Sequence, residues 1–147
     1  MSSYVLHSGT DAELGDAARE VRQAVFVDEQ GVPESEEMDG KDEVATHFVI
    51  THDETPVATA RTRFIDDATV KVERVAVLDS HRGEGLGKRV MAAAERAARE
   101  AGATTALLHG QRHVESFYTG LGYETVGEEF EEAGIPHVEM VKPLDAE

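Results

Sequence analysis

Three glycines at alternate positions, Gly83, Gly85 and Gly87, stand between Arg82 and the pair Lys88-Arg89. An apolar, β-branched run from Val70 to Val77 precedes them, and an unbroken helical pattern follows. A strand, a glycine loop and a helix N-terminus in that order can cradle an anion. Glycine lets backbone N–H groups approach a phosphate without interference from Cβ. The helix start adds unpaired donors and a partial positive charge. The nucleotide P-loop pattern fails here, because Arg82 stands where its first glycine belongs and Arg89 replaces the Ser or Thr. The dinucleotide pattern fails at Lys88, where its third glycine belongs. What remains is Arg-x-x-Gly-x-Gly at Arg82, Gly85 and Gly87. His109 and His113 have the i, i+4 spacing of metal ligands, but Gly110 lies between them and neither a cysteine nor a clear third ligand accompanies them. No metal site is expected.

The elements that must position this loop can be read in order. Tyr4–His7 is a short strand. Thr10 and Glu13 form a capping box ahead of a helix whose buried stripe is Leu14, Ala17, Ala18, Val21 and Val25, ending between Phe26 and Gln30. Residues 34–43 make a very acidic loop, read either as a solvated run of charge or as a lip that attracts a cationic amine. Ala45–Thr51 and Pro56–Ile65 are strands joined by a turn at 52–55. In the strand Thr69–Val77, Val70 and Val72 are apolar at even positions, whereas Val75 and Val77 are apolar at odd ones. A period of two cannot bury both pairs on one face without an extra residue. Either a β-bulge lies near Glu73-Arg74, or the strand is central and buried on both faces. Leu86–Ala101 is the strongest helix, with Leu86, Val90, Ala93, Ala94, Ala97 and Ala101 inward and Gly102 as its stop. Ala106–Leu108 is a strand and Val114–Thr119 a short helix. Tyr123–Phe130 and His137–Val141 are the last strands, with a turn at Gly134-Ile135-Pro136.

Composition bounds the function. The 147 residues suit one domain, 1–147, with a real core. Fourteen basic residues face 30 acidic ones, a net charge of −16, which argues against nucleic acid as a partner. So acidic a surface with only four lysines is expected of a salt-rich cytoplasm, where counterions screen the self-repulsion. The absence of cysteine excludes disulfides and a thiol nucleophile. Apolar runs are too short to span a bilayer and no signal peptide opens the chain, so a soluble, cytoplasmic protein without a membrane partner is expected. A two-fold homodimer is the default oligomer.

The Arg-x-x-Gly-x-Gly loop resembles the acyl-CoA pyrophosphate loop of GNAT-type N-acetyltransferases. A second stretch, Phe117-Tyr118-Thr119-Gly120-Leu121-Gly122-Tyr123, resembles the Phe-Tyr-x-x-x-Gly-Phe signature of that family, with Tyr123 in place of the last Phe. The element order β-α-β-β-β-α-β-α-β-β also matches. Three further runs look like the ElaA/YjcF-like branch: Arg22 to Gln30, Glu73-Arg74-Val75-Ala76-Val77, and Glu132-Ala133-Gly134-Ile135-Pro136-His137. The resemblance covers nearly the whole chain. It implies an α/β fold with a mixed, mostly antiparallel central sheet flanked by helices. That sheet would open in a V-shaped split between its fourth and fifth strands, here Glu73–Val77 and Ala106–Leu108.

The resemblance implies acetyl-CoA as co-substrate. Its pantetheine arm would lie along Val75-Ala76-Val77, and its pyrophosphate on the backbone of Arg82, Gly83, Glu84, Gly85, Leu86, Gly87 and Lys88. Gln111 stands where many members have an Asn that touches the pantetheine. Tyr118 is placed next to the sulfur and would protonate the departing thiolate. Glu73 would act as the base through a water, or else pair with Arg61, Arg63 or Arg74. His109 is an alternative base or a wall of the substrate pocket, and His137 completes that wall. The implied activity is N-acetyl transfer to a primary amine of a small molecule or peptide, by direct attack in a ternary complex. The alternative is an acyl-CoA-binding sensor or interaction module with this fold and little catalysis.

Overall fold

The structure is a computed structural model and describes residues 3–144. Strand β1 (Tyr4–Gly9) leads into helix α1 (Asp11–Arg22), which continues as a π-helix over Gln23–Glu29. The short helix α2 (Glu34–Glu37) and a 3₁₀ turn (Asp42–Val44) occupy the acidic stretch. Strands β2 (Thr46–His52), β3 (Thr55–Phe64) and β4 (Thr69–Val77) follow. Helix α3 (Leu86–Glu100) returns the chain to β5 (Thr105–Gln111). Helix α4 (Glu115–Gly120) precedes β6 (Glu124–Glu132) and β7 (Ile135–Pro143).

The seven strands form one sheet in the order β1-β2-β3-β4-β5-β7-β6. Pairing is antiparallel except between β4 and β5, which the α3 crossover makes parallel. The α1 helix begins with its expected capping box, in which Glu13 Oε1 accepts the Thr10 N–H at 2.9 Å. Its Val21 and Val25 pack with Ala76 on one face of the sheet. On the other face, Leu86, Val90 and Ala94 of α3 pack on Phe48, Ile50 and Ala60, while Met91 and Ala98 join Leu108, Met140, Tyr118 and Tyr123. Because α3 serves both clusters, its buried stripe turns towards Met91, Glu95 and Ala98, and Ala101 is exposed rather than buried.

The parallel pairing of β4 and β5 runs only from Thr69↔Thr105 to Val72↔Leu108. Beyond it, residues 73–77 of β4 and 109–111 of β5 diverge. The split therefore lies one step further along β5 than the sequence reading placed it, since 106–108 is the zipped part and β5 extends to Gln111. A β-bulge accompanies the opening. Between the pairs Thr59↔Ala76 and Arg61↔Glu73, β3 advances two residues and β4 three, and Arg74 takes φ +57°. A bulge bends its strand and increases twist. It also shifts parity, so Val70, Val72 and Val75 contribute to one cluster while Ala76 meets α1 on the other face. The last hairpin differs as well. Ile135 and Pro136 belong to β7, and the turn is Ala133-Gly134, both at positive φ, as a tight primed hairpin turn requires.

Candidate functional site

The divergence of β4 and β5 opens a cleft of about 830 Å³. Its first wall is the free edge of β4. The Leu78 N–H donates to the Val57 carbonyl on β3 at 2.9 Å, so strand alternation turns the N–H and C=O of Val77 towards the gap. An extended amide-bearing ligand can add to such an edge as a further strand. Past Val77 the loop carries Gly83 at φ +84° and Gly85 at φ +80°. Gly85 is the N-cap of α3 and brings no capping side chain, so first-turn N–H groups of this 15-residue helix stay open to an anion. Gly83, Gly85, Leu86, Gly87 and Lys88 line the cleft, but the Glu84 side chain does not, and neither does Arg89. Gly87 has a second reason to lack a side chain, since a Cβ there would come within 3.2 Å of the Phe117 ring.

Arg82 lines the cleft as well, with its side chain already engaged. Rather than waiting for a phosphate, its guanidinium is engaged at all three nitrogens. Nη1 and Nη2 each donate to a Glu29 carboxylate oxygen at 2.7 Å, Nη1 also reaches Asp79 at 3.3 Å, and Nε donates to the Val77 carbonyl at 3.0 Å. The Glu29 carboxyl is held below its usual range by the Arg82 hydrogen bond. Gln111 is likewise engaged, exchanging amide hydrogen bonds with Gln30 at 2.8 and 3.4 Å.

The second wall is apolar and comes from α4. Tyr118 is 7% exposed and reaches the cleft from the α3 face of the sheet. Burial alone pushes its phenol up to about 12, so the hydroxyl stays protonated and able to donate. Gly110 makes this approach possible, because a Cβ there would lie 3.1 Å from the Tyr118 ring. Tyr123, the other tyrosine of the signature, is differently placed. Its hydroxyl donates to the buried Glu95 at 2.8 Å, and Lys142 donates to the same carboxylate at 2.8 Å.

Glu73 lines the cleft from the α1 side, ringed by cations. Arg63 Nε and Nη2 donate to it at 2.6 and 3.0 Å, Arg61 Nη2 at 3.1 Å, and Lys71 Nζ lies at 3.6 Å. Burial would raise its pKa, but the Arg63 hydrogen bonds and the three positive charges overcome burial and hold it at about 2. Arg74, one of its expected partners, instead bonds the carboxylate and the main-chain carbonyl of Glu37. Most of residues 34–43 are exposed, but not all of the stretch is solvated. Glu37 and Asp42 are buried. Arg22 donates to Glu37 at 2.6 Å and to Asp42 at 2.7 Å, and Arg61 donates to Asp42 at 2.9 Å. Glu29, Gln30, Glu37 and Asp39 escaped sequence reasoning as site-shaping residues, although the first two lie in a run that resembled the branch pattern.

His109 and His137 share the α1 face with Gln111, by the cross-strand pairs His109↔Glu139 and Gln111↔His137. Both nitrogens of His109 face carboxylates, Nδ1 to Glu132 at 3.3 Å and Nε2 to Glu139 at 3.6 Å. His137 is 7% exposed and stacked on Phe130. Its Nδ1 lies 2.7 Å from the Ile135 carbonyl, which can only accept. That contact places the proton on Nδ1 and the lone pair of the neutral ring on Nε2. Nε2 is not among the buried polar atoms lacking a partner in the described residues. Tyr118 and His137 therefore flank the split from opposite faces of the sheet.

A profile of the acetyltransferase (GNAT) domain matches residues 10–144. YjcF of Bacillus subtilis, named as an uncharacterized N-acetyltransferase, is 43% identical over 123 residues, covering 83% of this chain and 87% of YjcF. ElaA of Escherichia coli is 34% identical over 143 residues, covering 94% of this chain and 93% of ElaA. The crystal structure of ElaA superposes with a TM-score of 0.85, covering 95% of this chain and 99% of that one at 29% identity. An acyl-CoA N-acyltransferase from Pseudomonas aeruginosa gives the same TM-score and coverage at 31% identity.

Proposed function

This chain belongs to the GNAT acetyltransferase family and is an acyltransferase. From that premise we propose that it moves an acetyl group from acetyl-CoA to a primary amine by direct attack in a ternary complex. The observation that carries the proposal is the cleft itself. It joins a free β4 edge, an open α3 N-terminus and a protonated Tyr118 hydroxyl in one continuous space. These suit, in turn, the pantetheine amides, the pyrophosphate and the thioester sulfur. With no cysteine in the chain, a thiol acyl-enzyme is excluded, which favours direct transfer.

The reaction makes one C–N bond and breaks one C–S bond. Tyr118 gives a proton, or a hydrogen bond, to the departing thiolate from the α4 side. The base must strip a proton from the amine on the other face. Glu73 is a weak choice, because a carboxylate held at about 2 has little affinity for a proton. We assign the role to His137 Nε2. The Ile135 carbonyl orients the ring, and it keeps its hydrogen bond when the imidazole gains the amine proton. Glu73 then serves as the anchor of the bulged edge.

Release of free CoA from acetyl-CoA should be followed with a panel of polyamines, aminoglycosides, amino acids and peptides bearing a free N-terminus. At least one amine should give saturable, stoichiometric thiol release, and His137→Asn should reduce it by roughly 10²–10⁴-fold while leaving acetyl-CoA affinity unchanged. Saturable acetyl-CoA binding without turnover on any amine would instead favour the sensor reading.

A further inference from the structure

The consecutive residues Glu29 and Gln30 close the π-helical segment, and each holds the side chain of a residue, Arg82 or Gln111, that the family resemblance places at the cofactor. Glu29 presents a carboxylate to the Arg82 guanidinium through two 2.7 Å hydrogen bonds. Gln30 presents an amide to the Gln111 amide in a reciprocal pair. Arg82 in turn caps the Val77 carbonyl, one of the main-chain groups facing the gap. The two contacts tie one short segment to both margins of the split, the β4–α3 loop on one side and the end of β5 on the other. Their chemistry copies that of the ligand. A carboxylate occupies the guanidinium that a phosphate would take, and an amide occupies the amide that a pantetheine arm would meet.

We propose that Glu29 and Gln30 form an internal strap that mimics the cofactor and must exchange partners with it when it binds. The proposal rests on the cleft being an acetyl-CoA site. On entry of the cofactor, Arg82 passes from the Glu29 carboxylate to a phosphate oxygen and frees the Val77 carbonyl, and Gln111 passes from Gln30 to a pantetheine amide. After transfer, the strap competes for the same groups and assists the departure of CoA. Apparent affinity is thereby lowered by the fraction of molecules in which the strap is closed. The π-helical turn suits this role, because such turns recur at functional sites. Glu29 is partly exposed, so it can leave Arg82 without stranding a buried charge.

The test is the dissociation constant of acetyl-CoA, measured by calorimetry on wild type, Glu29→Gln, Arg82→Ala, the double variant and Asp28→Asn. Asp28 is exposed, lies beside Glu29 and bonds Gln23 rather than Arg82, so Asp28→Asn removes the same charge without touching the strap. Glu29→Gln should tighten binding of acetyl-CoA by about twofold to fivefold, the range of an exposed ion pair, and lower KM with kcat unchanged or reduced. Asp28→Asn should move it less than twofold, a bound set by screening of an exposed charge. In the Arg82→Ala background, Glu29→Gln should have no effect. The strap is overturned if Glu29→Gln binds as wild type or more weakly, if Asp28→Asn tightens as much, or if the Glu29 effect survives without Arg82. A folded wild type that binds no acetyl-CoA would overturn the cofactor site itself, a separate failure.

Discussion

The two faces of the sheet at the split use polar groups in opposite ways. On the α1 face, Arg22, Arg61, Arg63 and Arg74 meet Glu37, Asp39, Asp42 and Glu73 in a continuous network in which the buried charges are paired. On the α4 face, an apolar cluster holds two phenols, Tyr123, which is bonded to Glu95, and Tyr118, whose pKa answers to burial alone. Paired charge is expensive to disturb and has no capacity left for a ligand, whereas a lone donor in an apolar wall is available. Charge density alone would have pointed to the network as the reactive centre. Satisfaction of hydrogen-bonding capacity points to Tyr118, the free β4 edge and His137 instead.

The largest effect expected from this contrast is on stability. Arg61 is fully buried and bonds Asp39, Asp42 and Glu73. Arg61→Met takes a buried donor from three carboxylates that keep Arg22, Arg63 and Arg74 as remaining partners, and breaking a buried pair from one side costs about 3–5 kcal/mol. Urea denaturation at pH 7 should show that loss. A variant of normal stability that fails to bind acetyl-CoA would instead make the network part of the site and dissolve the comparison.

The next effect is catalytic, and it sets the two tyrosines of the signature against each other. Tyr118→Phe should lower turnover by about tenfold to a thousandfold, with stability and cofactor affinity nearly unchanged, as for a group acting in the transition state. Tyr123→Phe removes one of the donors to the buried Glu95 and should cost about 1–3 kcal/mol of stability with turnover retained. Equal behaviour of the two variants would show that the phenol of Tyr118 packs and does not react.

Much of this arrangement was legible in the residues, and what was not has physical causes. The glycine loop, the α3 start and the parity shift between Val72 and Val75 are local, so spacing exposes them. Pairings across long stretches are not. Arg22 meets Glu37 fifteen residues on, and Arg82 meets Glu29 across 53, where any of many acids could have served. The acidic stretch illustrates the limit: exposed Glu34, Glu36 and Glu43 are interleaved with buried Glu37 and Asp42, and no period separates the two sets. The role of Tyr123 in holding Glu95 depends likewise on α3 rotating Glu95 inward.

The smallest effect concerns those exposed acids. A net charge of −16 on 147 residues produces repulsion that salt can screen, since the Debye length falls from about 10 Å at 0.1 M to about 3 Å at 1 M. Buried pairs are screened much less, so the network should hold while the surface relaxes. The melting temperature should therefore rise by a few degrees between 0.1 and 1 M KCl, corresponding to about 1 kcal/mol for a chain of this size. The two kinds of acid can be separated within one ten-residue stretch. Replacing Glu34, Glu36 and Glu43 together by Gln should weaken the salt dependence, because part of the repulsion is removed. Glu37→Gln should lower stability at every salt concentration and leave the slope intact, because Arg22 and Arg74 lose a partner that salt does not reach. A melting temperature that is flat with salt in the wild type would remove the salt-adapted reading of the acidity, and the surface charge would then call for a basic partner.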